Sequence, residues 1–219
     1  MKILALEFST DHRGVAVVAD DQPGATREVG EVQRDGRATH TAAMIDAVLR
    51  QAGLARAEME AIAVGVGPGS YTGIRVAIAF AEGWRLAFPV PLIGVRSVDC
   101  LAAQAAAAGF TGPLLAAVDA QRGEYYVAGY TVSDSGFREV SPLRLVDAAA
   151  LNKEIAAGAV VVGPDLAGRI PGAREDLPSA ITVARLARTQ PCPDPGTGLE
   201  PVYLRPVSFV KAPPPRWPG

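Results

Sequence analysis

An unbroken apolar and glycine run, residues 61–66 (Ala-Ile-Ala-Val-Gly-Val), passes into Gly67-Pro68-Gly69-Ser70-Tyr71-Thr72-Gly73 and then into a helical pattern that holds to about Phe88. A strand this apolar is buried on both faces, and a parallel strand needs a helical crossover to reach its neighbour. The segment therefore demands a sheet with helices packed on it. Upstream, residues 2–8, 14–19 and 26–33 read as three strands joined by short turns, which predicts an antiparallel meander. A helix follows over 39–53, with Thr39 as N-cap, Ala42, Ile45, Val48 and Leu49 at helical spacing, and Gly53 as C-cap. After the glycine loop a helix is predicted over 74–88, stopped by Pro89 and Pro91, then a strand at 92–95 and an alanine-rich helix at 97–108.

The chain then starts again with strands. Residues 114–119, 124–132 and 138–145 are strand-like, followed by a helix at 147–157, a strand at 159–163 and a helix at 183–189. There is no clean sequence repeat, but the restart predicts two lobes, 1–109 and a smaller 110–211. The tail 212–219, rich in proline, is expected to be poorly ordered because proline neither continues a helix nor pairs as a central strand.

Composition excludes several classes. The formal net charge is −2, which gives no reason to expect a surface that coats nucleic acid. Cys100 and Cys192 stand in no metal or redox spacing. His12 and His40 form no His-x-x-x-His pair, which disfavours a His-rich zinc or iron site, and no metal ligands are assigned. The opening apolar residues are interrupted by Glu7, too early for a secretory core, and no apolar run reaches the ~20 residues needed to cross a bilayer. The expected location is the cytoplasm, away from membranes.

Two segments are candidates for chemistry. In the loop, Gly67, Gly69 and Gly73 allow close backbone approach, Ser70 and Thr72 supply hydroxyls, and Arg75 follows; the loop opens a helix N-terminus, which favours an anion. The competing reading is a tight strand-to-helix turn with a hydroxyl cap, and the spacing is not that of a Walker loop. Glu7, at the end of the first strand and followed by Ser9 and Thr10, is placed to hold a hydrated cation beside phosphates; a half-exposed charge at a sheet end is the alternative. Asp119, Arg122 and Glu124 make a charged turn that reads equally as a solvated ion-pair cluster. The helix at 74–88 is apolar on nearly every side, so it is buried on several. Its small residues Ala77, Ala81 and Gly83 would let a second backbone approach, and burial under a neighbouring helix of its own domain is the equal alternative.

Taken in order, these blocks resemble the TsaB (YeaZ) family of bacterial tRNA-modification proteins. The resemblance rests on Ile3-Leu4-Ala5-Leu6-Glu7-Phe8-Ser9-Thr10, on His40 opening the first long helix, and above all on the stretch from Gly65 to Arg75. It continues through Ile93-Gly94-Val95, the stretch from Asp119 to Tyr126, and Pro201-Val202-Tyr203-Leu204-Arg205. It implies an α/β actin/Hsp70-like (ASKHA) ATPase fold of two lobes, each a mixed sheet flanked by helices. It implies a non-catalytic partner of TsaD, the paralogue that transfers threonylcarbamoyl to a tRNA adenosine, with the ATPase TsaE as a third subunit. Contact with tRNA is expected to be indirect, and a homodimer is expected when the chain is alone. The two long helices of the first lobe are implied to form the partner interface, here through His40, Met44, Val48, Ile74, Ala77, Ile78 and Ala81, so that Ala77→Glu or Ala81→Glu is expected to abolish pairing. The Glu7 and Gly67–Gly73 region becomes a vestigial nucleotide site. No cofactor is required by the chain itself, and ATP or ADP is expected to bind weakly or at the complex interface. Glu7 stands where the family usually has Asp, and Gln121 where Arg is common. The helix after Ser97 carries no histidine, unlike the metal-binding helix of the catalytic paralogue. A stand-alone actin-like phosphotransferase or metal-dependent hydrolase is the alternative.

Overall fold

The computed structural model describes residues 1–22, 25–34, 40–194 and 196–204. The expected N-cap Thr39, Arg205 of the last family block, and the tail 212–219 lie outside the described residues. The meander is formed by β1 (Lys2–Glu7), β2 (His12–Gln22) and β3 (Ala25–Arg34), antiparallel throughout, with Glu7 opposite Gly14 and Leu6 opposite Val15. Helix α1 (Thr41–Ala52) begins after His40, and Gly53 closes it in the left-handed conformation at φ 66°, donating to the Leu49 and Arg50 carbonyls. Strand β4 (Ala61–Gly67) lies parallel to β1, and β5 (Leu92–Arg96) parallel to β4, giving the order β3-β2-β1-β4-β5.

Helix α2 (Tyr71–Ala87) starts three residues before its expected beginning, because Ser70 is the cap: its Oγ accepts the Gly73 N–H at 3.2 Å. Thr72 thus belongs to the first turn of the helix and is exposed. Helix α3 (Ser97–Ala107) follows β5 without a loop. One face of this sheet packs on α1 and α2 through Leu4, Leu6, Val17, Met44, Val48, Ile62, Ala77 and Ala81.

The second sheet comprises β6 (Gly112–Asp119), β7 (Glu124–Ser133), β8 (Gly136–Asp147), β9 (Val160–Gly163) and β10 (Arg174–Glu175), with α4 (Ala148–Ala156) between β8 and β9. Its order, β10-β9-β6-β7-β8, repeats the first sheet strand for strand: a β6-β7-β8 antiparallel meander, then β9 parallel to β6 and β10 parallel to β9. The lobes are therefore a topological duplication that the sequence does not display. The architecture is the two-lobed actin-like ATPase fold.

The helices after the last strand of each sheet cross over. Helix α3, which leaves the first lobe, buries Val98, Leu101 and Ala102 against Leu114, Ala116 and Tyr130 of the second sheet. Helix α5 (Ala180–Ala187), which falls within the span expected for the second lobe, instead buries Ala180, Val183, Ala184 and Ala187 against Ile3, Ala5, Ala16 and Val18 of the first. No described helix is long and apolar enough to cross a membrane.

Candidate functional site

A cleft of about 680 Å³ runs between the lobes. Its first wall is the β1–β2 turn zipped to the glycine loop. The Ser70 N–H donates to the Ser9 carbonyl at 2.7 Å, and a Cβ at Gly69 would collide with that same carbonyl. Gly67 holds φ 93° to turn the chain out of β4. At Gly73, in the first turn of α2, a Cβ would collide with the Phe8 carbonyl and with the guanidinium of Arg13. Arg13 is buried there and donates to the Phe8 carbonyl at 2.6 Å. The glycines thus serve the approach of the chain to itself, the competing reading of the loop. Ser9, Thr10, Gly69, Ser70 and Arg75 line the cleft, whereas Gly67, Thr72 and Gly73 do not.

Glu7 is absent from the cleft wall because its side chain is wholly buried. Its Oε1 accepts the Ser9 N–H at 2.7 Å, and its Oε2, without a hydrogen-bond partner, lies over Gly65, where a Cβ would collide with it. The expectation of a half-exposed or cation-binding acid is corrected: the glycine at 65 makes room for the carboxyl to turn inward. Burial raises its pKa, opposed by the Ser9 hydrogen bonds and the charge of Arg13. The folded carboxyl therefore keeps its proton to a higher pH than the unfolded one, whose ordinary value is 4.5. Above 4.5 ionisation favours the unfolded chain, and stability declines until the folded group also ionises. Glu7→Gln should therefore gain melting temperature relative to the parent as pH rises from below 4.5 to neutrality. Thermal melts across that range test it, and a difference constant with pH would contradict it.

The opposite wall comes from the second lobe. Asp119, at the end of β6, is the topological counterpart of Glu7. It accepts the Gln121 N–H at 2.7 Å and pairs with Arg169. The charged turn is thus corrected in one respect: the ion-pair partner of Asp119 is Arg169, far along the chain, while Gln121 and Arg122 form the β6–β7 turn at φ 65° and 61°. Pro164 and Asp165, after β9, complete this wall with Tyr126. At the mouth, Tyr71 and Tyr203 stack with centroids 5.4 Å apart and the Arg75 guanidinium sits 4.1 Å from the Tyr71 ring. The Val202 N–H, donating to the Val66 carbonyl at 2.8 Å, fixes Tyr203 there.

Sequence reasoning missed Arg13, Tyr126, Asp165, Arg169 and Tyr203 as site residues. One signal was present: Gly163-Pro164 repeats the Gly67-Pro68 pair after the equivalent strand. Among the described residues no three His, Cys, Asp or Glu side chains gather as a metal-binding group. A cation bridging Glu7 to a phosphate does not fit, since the carboxyl faces the core.

The expected partner face requires the largest correction. Met44, Val48, Ile74, Ala77 and Ala81 are all buried within the chain itself and Ile78 is half-buried; only His40 is exposed. The small residues of α2 let it lie close to its own sheet. The outward face of α2 instead exposes Val76, Ala79, Phe80, Gly83, Leu86 and Ala87, with Leu86 90% exposed. Beside it an apolar groove of about 470 Å³ is lined by Val76, Phe80, Gly83, Trp84 and Phe88. Arg56 closes one end, 5.9 Å from the Trp84 ring and bonded to Asp46 through Nε at 3.1 Å. The buried Trp84 Nε1 has no hydrogen-bond partner.

The family model described as TsaD, tRNA N6-adenosine threonylcarbamoyltransferase, matches residues 34–153. The chain is 33% identical to the tRNA threonylcarbamoyladenosine biosynthesis protein TsaB of Escherichia coli K12, over 62% of this chain and 58% of that one. It is 30% identical to the protein of the same name from Haemophilus influenzae, over 58% and 52%. Both matches thus span less than two thirds of those relatives. The structure of YeaZ from Pseudomonas aeruginosa superposes with a TM-score of 0.72 at 27% identity, covering 93% of this chain and 99% of the other. By sequence and by fold, this chain belongs to the TsaB (YeaZ) family.

Proposed function

We propose that this chain is a non-catalytic subunit of tRNA threonylcarbamoyladenosine biosynthesis, binding TsaD and enabling it to transfer the threonylcarbamoyl group to a tRNA adenosine. The observation that carries this reading is the apolar outward face of α2, where Val76, Ala79, Phe80, Leu86 and Ala87 stand exposed along one helix. A face of this kind in a well-packed protein marks a surface that meets another protein. The engagement of both strand-end acids gives further support: Glu7 is sealed in the core and Asp119 is held by Arg169, so neither is free to serve a reacting group. In this reading TsaE joins the complex, tRNA is touched mainly by the other subunits, and the bacterial cytoplasm is the site of action. ATP or ADP binds weakly or where the subunits meet, and two copies pair through the α2 face when TsaD is absent.

The interlobe cleft favours a second reading, a stand-alone phosphotransferase or metal-dependent hydrolase. One assay separates them: tRNA modification with TsaD and a supplied threonylcarbamoyl-adenylate, with and without this chain, adding TsaE and ATP for multiple turnover. Product that needs both TsaD and this chain, with none from this chain alone, is the expected outcome. Equal product without it overturns the subunit reading, and turnover of ATP by the lone chain favours the second.

A further inference from the structure

A cleft between two lobes responds to a ligand only if the lobes can hinge, and a hinge needs crossings free to change their backbone angles. The described chain crosses between the lobes twice, once through α3 into β6 and once from β10 into α5. Both crossings are tied to α3 by side chains. At the first, Arg96, the last residue of β5, donates to both oxygens of Asp99 in the first turn of α3, at 2.8 and 2.7 Å. The same guanidinium reaches across to both oxygens of Glu139 on β8, each at 3.0 Å. Tyr130 on β7 completes the group, its hydroxyl donating to Asp99 at 2.7 Å from a ring that is 1% exposed. A planar guanidinium shared between two carboxylates fixes direction as well as distance.

At the second crossing, the Gln104 side chain of α3 donates to both oxygens of Asp176, at 3.0 and 3.1 Å, and to the Leu177 carbonyl at 2.9 Å. Its own oxygen accepts the Ser179 N–H at 2.9 Å. The segment that would have to bend as α5 swings relative to the second sheet is thus bonded at three residues, Asp176, Leu177 and Ser179, to one amide. Between the two ties, α3 packs on the second sheet through Val98, Leu101 and Ala102, while Cys100 faces the first.

We propose that the two lobes move as one rigid body, the cleft being held at a fixed aperture by the Arg96–Asp99–Glu139–Tyr130 group at one crossing and by Gln104 at the other. The chain then presents its surfaces in constant geometry and transmits no signal by closing its cleft. The test is pulsed electron spin resonance on the full chain carrying Cys192→Ser, with labels at Arg50→Cys on α1 and Asn152→Cys on α4, both exposed positions on different lobes, diluted with excess unlabelled chain so that only distances within one chain register. A single narrow distance distribution, unchanged by excess Mg-ATP, is expected. The double variant Glu139→Gln/Gln104→Met, which loosens both crossings while leaving Arg96 its bonds to Asp99, should broaden it. A broad, split or Mg-ATP-shifted distribution in the parent overturns the proposal, as does an unchanged width in the folded double variant. Circular dichroism establishes that the variant is folded, and the parent's own width remains decisive if it is not.

Discussion

Phe80→Glu should leave the chain folded and abolish the proposed association with TsaD. The ring is 37% exposed in the middle of the outward face of α2, so a glutamate there remains in water in the single chain and costs its fold little. In a complex that covers the face, the same carboxylate is desolvated without a partner. Leaving a buried charge uncompensated costs about 3–5 kcal/mol, which is a loss of affinity of at least about a hundredfold. Calorimetric titration of TsaD and the tRNA modification assay should fall together, while circular dichroism of the free variant shows the fold of the single chain unchanged. Normal binding by a folded Phe80→Glu chain would remove α2 from the interface. Ala77→Glu and Ala81→Glu are not equivalent probes, because both residues lie against the chain's own sheet and the carboxylate would be forced into the core. Those variants should fail to fold, and their loss of pairing would say nothing of the interface.

Two glycine-to-alanine changes in that same helix should have opposite signs. Alanine is the better helix former by about 0.8–1 kcal/mol. At Gly83 nothing lies within 4 Å of the position a Cβ would take, so Gly83→Ala should stabilise the free chain by close to that amount. At Gly73 the new methyl meets the Phe8 carbonyl and the Arg13 guanidinium. The carbonyl belongs to the β1–β2 turn and cannot step aside without shifting Ser9, which accepts the Ser70 N–H. Overpacking of this kind costs about 1–3 kcal/mol and more where backbone must move, so the clash outweighs propensity. Urea denaturation of the two variants beside the parent measures both signs. A stable Gly73→Ala would mean that the turn and helix are not in contact as described.

Much of the fold was legible because hydrophobic period and turn residues act locally. The meander, the buried β4 and the Gly53 cap follow from residues adjacent in sequence. The faces of α2 were not legible for a physical reason. Its residues are apolar on nearly every side, and small side chains suit close approach to any neighbour, a partner helix or the parent sheet alike. Only the position of β4 beneath Ala77 and Ala81 decides which. The fate of Glu7 depended likewise on Gly65, which lies on a different strand and comes beside its carboxyl only once β1 and β4 pair. Asp119 found Arg169 rather than Arg122 because β9 runs beside β6, bringing the loop after it to the same end of the sheet. The two-residue β10 is too short to leave any periodicity, so the fifth strand that completes the match between the two lobes emerged from strand pairing alone.

The exchange of α3 and α5 between the sheets bears on how the chain can be divided. The strip Ile3, Ala5, Ala16 and Val18 is covered by a helix that arrives only after the second sheet is complete. Leu114, Ala116 and Tyr130 are covered by a helix that begins in the first. Neither lobe contains the cover for its own inner face. Excised separately, each would expose that strip to water and to its neighbours in solution. During synthesis the first sheet waits with one side bare until α5 emerges, so it is a helix made after the whole second sheet that closes the first.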